Sequence, residues 1–272
     1  MSILTKDQLE IVEQSEIDAL EDRLLRVASI NENAMGVELK RYGNAVAFSV
    51  KSIPGPSFNT VKGISGENIE DLDDIVEFYS SKGIPPRFEV TPGNASTDLF
   101  RKFSSLGFFQ SGFHTALYRP LSIEERTDMR AESAIQIEEI SLANFDIFGE
   151  LYTKGFGMPV AFKDYVTANN KVLAESDNWI FYLAHVGGEP VGIAVLFIKN
   201  DVATLAASAT LPEFRNKGVQ TALIQERMQQ AANAGCRYLV GQAAFGSVSQ
   251  MNMERAGLKI AYTNAVWEKI QR

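Results

Sequence analysis

The residues best placed to do chemistry lie between positions 209 and 223, where Ala-Thr-Leu-Pro-Glu-Phe-Arg-Asn-Lys-Gly-Val-Gln-Thr-Ala-Leu reads as a strand end, a short basic loop and a helix start. The first N–H groups of a helix have no intrahelical partner, and the helix dipole adds partial positive charge. A phosphate placed there can accept several backbone bonds. Gly218 lets a ligand approach the backbone closely, and Arg215 and Lys217 add charge. On physics alone this is an anion-binding turn of a kind that many surface helices share. Ser208 could orient a water, and Tyr262, His185 and Glu150 can titrate. Cys236, beside the helix-ending Gly235, reads as a packing thiol.

The elements that must position this turn follow from periodicity. Residues 202–210 follow the Asn200-Asp201 turn as a strand, and Val219, Leu223, Ile224, Met228, Ala231 and Ala232 form the apolar stripe of a helix running to Asn233. Strands are expected over 179–186 and 191–198, joined at Gly187-Gly188-Glu189-Pro190. Further strands follow over 238–244 and 260–268, with a short helix over 249–255 between them. Helical stretches precede these over 141–156 and 159–175. The first half opens with an amphipathic helix over 7–29, then two strands about Tyr42-Gly43-Asn44 and a short strand near 58–64. An acidic helix over 69–79 and a strand over 87–90 follow. Residues 119–133 are charged and lack an apolar period. The expected organisation is therefore a domain over 1–120, a linker over 121–133 and a second domain over 134–272.

Composition narrows the function classes. With 272 residues and 45% hydrophobic content the chain can build one large core or two modest ones. A formal net charge of −8 argues against nucleic acid or an anionic membrane as a partner. One cysteine excludes an internal disulfide, and two histidines, His114 and His185, do not make a histidine-rich metal site, so no metal is expected. No basic flank leads into an apolar stretch at the start and no run is long enough to span a bilayer. A cytoplasmic location is the expectation.

The turn Arg215-Asn216-Lys217-Gly218-Val219-Gln220 resembles the Arg/Gln-x-x-Gly-x-Gly/Ala pyrophosphate motif of the GCN5-related N-acetyltransferases (GNATs), and the Pro212-x-Phe214-Arg215 approach and Glu254-Arg255-Ala256-Gly257-Leu258 follow the same family order. Gln220 departs from the motif, so its side chain must point away from the ligand or contact it. The resemblance implies a mixed α/β fold, each domain a twisted mixed sheet flanked by helices. It also implies acetyl-CoA lying in a wedge between two parallel strands with its pantetheine arm pairing to an exposed edge at Ala209, Thr210 and Leu211. A backbone N–H near Ala209 would polarise the thioester carbonyl, an effect worth about 3–4 kcal/mol per donor. Arg215, Asn216, Lys217, Gly218, Val219, Gln220 and Thr221 would hold the pyrophosphate. Ser249 and Asn252 would touch the cofactor arm, with a helix cap and a solvated helix face as their structural alternatives.

Many relatives place a tyrosine acid where Met253 stands. Here Tyr262 could reach in, a water could serve, or the thiolate could leave unaided; an aromatic on an amphipathic strand is the plainer reading of Tyr262. Residues 156–162 are expected to form a flap over an acceptor pocket. The acceptor would be a primary amine of a small molecule or peptide, and monomer and homodimer both remain open. A non-catalytic acyl-CoA sensor is the alternative.

The order around Gly83 to Phe108 repeats that around Gly235 to Leu258, as in tandem acetyltransferase-like proteins. In the first half, however, Glu67, Glu70, Asp71, Asp73 and Asp74 surround the matching helix start. Those carboxylates would repel a pyrophosphate, so the first half is expected to be a degenerate copy.

Overall fold

The computed structural model describes residues 4–53, 55–122 and 134–269. The chain forms two compact units. The first comprises Met1–Ala116, Ala243–Ser247 and Ile260–Arg272; the second comprises Leu117–Gln242 and Val248–Lys259. This corrects the expected division, because the chain from Ile260 onward folds with the first unit rather than the second. Residues 123–133 of the expected linker lie outside the described residues. Among the described residues no helix is long and apolar enough to cross a membrane.

In the first unit, helix α1 (Lys6–Ala28) starts at a capping box in which Thr5 and Gln8 satisfy each other's backbone amides. Strands β1 (Val37–Tyr42) and β2 (Ala45–Val50) form the expected hairpin, with Gly43 at φ 56 in the turn. Then come β3 (Thr60–Lys62), α2 (Leu72–Ser80), β4 (Arg87–Val90), α3 (Thr97–Ser105) and β5 (Phe108–Pro120). The strand order is β1-β2-β3-β4-β11-β5, where β11 is the last strand, Lys259–Lys269. Burial explains why β11 belongs here: Trp267 stacks on Phe103 at 5.3 Å and on Phe100 at 5.2 Å, and Phe88 packs on Phe103 and Phe108. Aromatic contacts of this kind add about 0.5–1.5 kcal/mol each to the area they bury.

The β3–β4 ladder is parallel and has one rung, Val61↔Phe88. Just beyond it the two strands are joined by charge. The Lys62 ammonium bonds Glu89 at 2.7 Å and Glu16 of α1 at 3.0 Å, Arg87 bonds the other Glu89 oxygen, and the Tyr262 hydroxyl donates to Glu16 at 3.1 Å. Burial works against the Glu89 carboxylate, but Lys62, His114 and Arg87 together hold its pKa well below the usual range.

Glu13 lies at the rim of this cluster, bonded by Asn94 at 2.8 Å. Burial, reinforced by Glu16, raises its pKa to about 7. A carboxyl that holds its proton more tightly when folded stabilises the fold below its unfolded pKa and loses that contribution as pH rises through the folded value. Stability is therefore expected to fall by about 1–3 kcal/mol between pH 4.5 and 7 from this group, with each pKa unit worth about 1.4 kcal/mol before discounting for partial exposure. Glu13→Gln should flatten that slope; urea midpoints at pH 5 and 8 that fall in parallel for variant and wild type would disprove it.

The second unit contains β6 (Ile135–Glu139), α4 (Phe145–Gly155), α5 (Lys163–Lys171), β7 (Trp179–Val186) and β8 (Glu189–Lys199), followed by β9 (Val202–Thr210), α6 (Val219–Asn233), β10 (Tyr238–Ala244) and α7 (Val248–Arg255). Its strand order is β10-β9-β8-β7-β6, antiparallel from β6 to β9 and parallel between β9 and β10. Strand β6 escaped the sequence reading because it is five residues long and follows the charged stretch directly. Strand β8 is buried from Val191 to Phe197, as a strand covered on both faces must be. On α6 the expected stripe holds except at one position: Arg227, not Met228, takes the fully buried place.

Candidate functional site

The parallel β9–β10 ladder runs from Val202↔Tyr238 to Leu205↔Gly241 and stops there, although β9 continues to Thr210 and β10 to Ala244. Two features cause the divergence. The β8–β9 register shifts between Val195↔Ala207 and Leu196↔Leu205, which leaves Ala206 as the extra residue of a bulge. At the last rung, Gly241 lies so close to Met253 that a Cβ there would meet its sulfur at 2.5 Å. Beyond the rung β9 presents only small residues, Ala206, Ala207, Ser208, Ala209 and Thr210.

The direction of the free amides follows from alternation. Leu211 donates its N–H to Val191 of β8 at 2.9 Å, so Ala209 also faces β8, while the amides of Ser208 and Thr210 face the opposite, unpaired side. The donors on the open edge are therefore Ser208 and Thr210, which corrects the expectation for the Ala209 amide. Ala209 is buried and packs on α4 at Gly155, where any Cβ would come within 2.7 Å of its methyl.

After Leu211, a single turn at Pro212–Phe214 leads into two left-handed residues, Asn216 at φ 62 and Gly218 at φ 84, with Lys217 between them. Gly218 is the N-cap of α6 and supplies no side-chain bond to the helix amides. Arg215 folds back onto Gly155 O at 3.2 Å and lies 3.4 Å from Thr210 O, and the Lys217 ammonium sits 4.7 Å over the Phe214 ring. Gln220 turns inward: its Oε1 accepts from the Ser208 hydroxyl at 2.8 Å, a hydroxyl that also lies 3.0 Å from Ile193 O. The departure from the motif thus leaves the turn open, and it ties Ser208 to α6. Val219 is buried, whereas Thr221 is exposed.

The other sequence candidates are scattered. Tyr262 lies in the first unit with its hydroxyl committed to Glu16, and burial raises its pKa well above the phenol range, which weakens it as a proton donor. His185 pairs with Glu138 at 3.1 Å across β6 and β7. The Lys154 ammonium, 2.5 Å away, lowers the pKa of Glu150, which weakens it as a base. Burial raises that of the Cys236 thiol, consistent with packing. On α7, Ser249 is exposed and Asn252 accepts from Arg255 at 3.0 Å. Residues 156–162 carry Phe156, Val160 and Phe162 at 47–75% exposure.

Met253 is 3% exposed and seated against Gly241. Met253→Tyr is therefore expected to overpack the last rung and cost about 1–3 kcal/mol in urea unfolding. An unchanged midpoint would show that a tyrosine fits there.

A model of the acetyltransferase (GNAT) family matches residues 145–248, the segment that contains the interrupted ladder and the turn. This segment is a GNAT domain. Solved structures share the fold across nearly the whole chain. A GCN5-related N-acetyltransferase from Kribbella flavida is 12% identical, covering 96% of each chain, with a TM-score of 0.67. One from Sphaerobacter thermophilus is 15% identical, covering 93% of each chain, at 0.60. A tandem GNAT protein from the clavulanic acid biosynthesis pathway is 11% identical, covering 94% of this chain and 96% of that one, also at 0.60. No curated protein sequence matches. The fold is thus that of a tandem GNAT protein, and the ladders of the two units agree with it, since each passes from antiparallel strands to one parallel step, β3–β4 or β9–β10. What differs is the ground beyond that step: Lys62, Glu89 and Glu16 bridge it in the first unit, and small neutral residues leave it open in the GNAT domain.

Proposed function

We propose that the GNAT domain binds acetyl-CoA and transfers its acetyl group to a primary amine of a small molecule or peptide by direct attack. The observation that carries this reading is the ladder that ends at Leu205↔Gly241 beside a helix start with two left-handed residues. The open edge offers amides that a pantetheine arm can use as an added strand, and the turn offers amides and two cations to a diphosphate. Acetyl-CoA supplies an acyl group on a fair leaving thiol. The chain supplies the rest. Amides from Asn216 to Thr221, with Arg215 and Lys217, hold the pyrophosphate. The Ser208 and Thr210 amides point to where charge develops on the carbonyl oxygen, whereas the Leu211 amide, like that of Ala209, is turned to β8 and is not part of that edge. Ser249 and Asn252 border the cofactor arm. The thiolate leaves unaided or through a water, because Met253 cannot donate a proton.

The tandem neighbours support the reading for the fold as a whole, and the Lys62 cluster supports a first unit without a cofactor site. We read the linker as the stretch from 121 to 133, the protein as cytoplasmic and the activity as independent of metal. The second reading, an acyl-CoA sensor without turnover, is favoured by the paired state of Glu150 and His185.

Calorimetric titration with acetyl-CoA is expected to show one site per chain; no heat at high micromolar ligand would overturn the proposal. Release of free thiol with a panel of amines separates enzyme from sensor.

A further inference from the structure

Arg227 is 1% exposed on α6, and among the described residues it forms no ion pair. Its guanidinium bonds three carbonyls: Leu223 one turn back at 2.9 Å, and Val195 and Ala207 at 3.3 Å each. Val195 and Ala207 are the two residues at which the β8–β9 register breaks. Burial lowers the arginine pKa to about 9, which leaves it charged at neutral pH. A buried, unpaired cation is an expensive way to fill a core position; an apolar side chain at the same place would serve packing better. Its donors, however, match the two strand carbonyls that the bulge displaces.

We infer that Arg227 is a positioning residue that holds the β9 bulge open and thereby sets which backbone amides face the cofactor wedge. The inference rests on the acetyl-CoA reading of that wedge. Side chains and amides alternate along a strand with period two, so absorbing the bulge at Ala206 shifts β9 by one residue and reverses every amide from 207 to 210. Ser208 and Thr210 would then face β8, and Ala209 would face the wedge. Without Arg227 the Val195 and Ala207 carbonyls lose the charged donor that reaches both of them at the register shift, and with it the interaction that favours the bulged register over a closed ladder. The sequence carries the signal: Arg227 lies four residues after Leu223 and eight after Val219, on the inner stripe of α6.

The test uses the full chain and the variants Arg227→Met and Arg227→Lys. In ligand-free wild type, NMR-detected amide exchange should be fast at Ser208 and Thr210 and slow at Ala209. Arg227→Met should invert that pattern and raise the dissociation constant for coenzyme A by about tenfold or more, with the KM for the amine within about twofold; tenfold corresponds to loss of one good interaction. Arg227→Lys, which keeps one donor group, should fall between. A folded Arg227→Met with the wild-type exchange pattern would overturn the inference, and if that variant does not fold, an unchanged pattern in Arg227→Lys does so. If wild type binds no coenzyme A, the transferase reading fails while the exchange arm still decides the role of Arg227.

Discussion

Gly218→Glu is expected to abolish coenzyme A binding while leaving the GNAT domain folded. Two penalties act on the ligand and one on the protein. Gly218 sits at φ 84, where an L-residue costs about 1–2 kcal/mol, so the turn either strains or relaxes away from its ligand-ready shape. Space is not the obstacle, since the nearest atom to an added Cβ is Ile135 Cδ1 at 3.6 Å. The new carboxylate then stands at the helix start, where the diphosphate must lie, and two like charges within about 4 Å at an effective dielectric near 20 oppose each other by about 4 kcal/mol. A loss of at least about 100-fold in affinity follows. Gly218→Ala carries the strain without the charge and should lose about tenfold. Calorimetry with coenzyme A checks both, and urea midpoints within about 2 kcal/mol of wild type confirm the fold. Affinity retained in Gly218→Glu would show that the phosphate is held by another loop.

Lys62→Met is expected to destabilise the first unit more than any single exposed charge could. The ammonium bonds buried Glu89 beside Arg87 and His114, and it is the only cation bonded to Glu16 among the described residues. Its pKa is raised: burial opposes the charge, but Glu89 and Glu16 outweigh that cost. Removing one partner of a buried pair leaves an uncompensated ion and costs about 3–5 kcal/mol. The double variant Lys62→Met with Glu89→Gln should recover part of the loss, because the orphaned charge is gone; a double variant as unstable as the sum of its parts would attribute the loss to packing alone. Thermal and urea unfolding measure this. If the first unit has no cofactor site, calorimetry on folded Lys62→Met should still find one coenzyme A per chain.

Much of this architecture was legible locally. The helix over 7–29, the hairpin about Gly43, the strands 87–90, 202–210 and 238–244 and the helix ending at Asn233 follow from periodicity, caps and glycine turns, each set by residues a few positions apart. The anion-binding turn was legible for the same reason: a strand, a basic loop and a glycine before a helix are neighbours in sequence. Tyr262 was assigned to the wrong unit and Ala209 to the wrong side of its strand, because a strand's own pattern does not say which partner it joins or which rung is hydrogen-bonded.

The amino-acid order by itself determined the kind of elements, their succession, the GNAT-like turn at Gly218 and the repetition of that plan in two halves. Only the tertiary structure decided that the chain from Ile260 folds with the first unit. It also decided that Lys62, Glu16, Glu89 and Tyr262 close the first unit's wedge, that Gln220 turns to Ser208, and that Arg227 supports the bulge. The reason is range. Periodicity and caps are enforced within a turn or a strand, whereas the partner of a buried charge or a strand edge is chosen by burial among residues as far apart as Glu16 and Tyr262, and no local pattern encodes that choice.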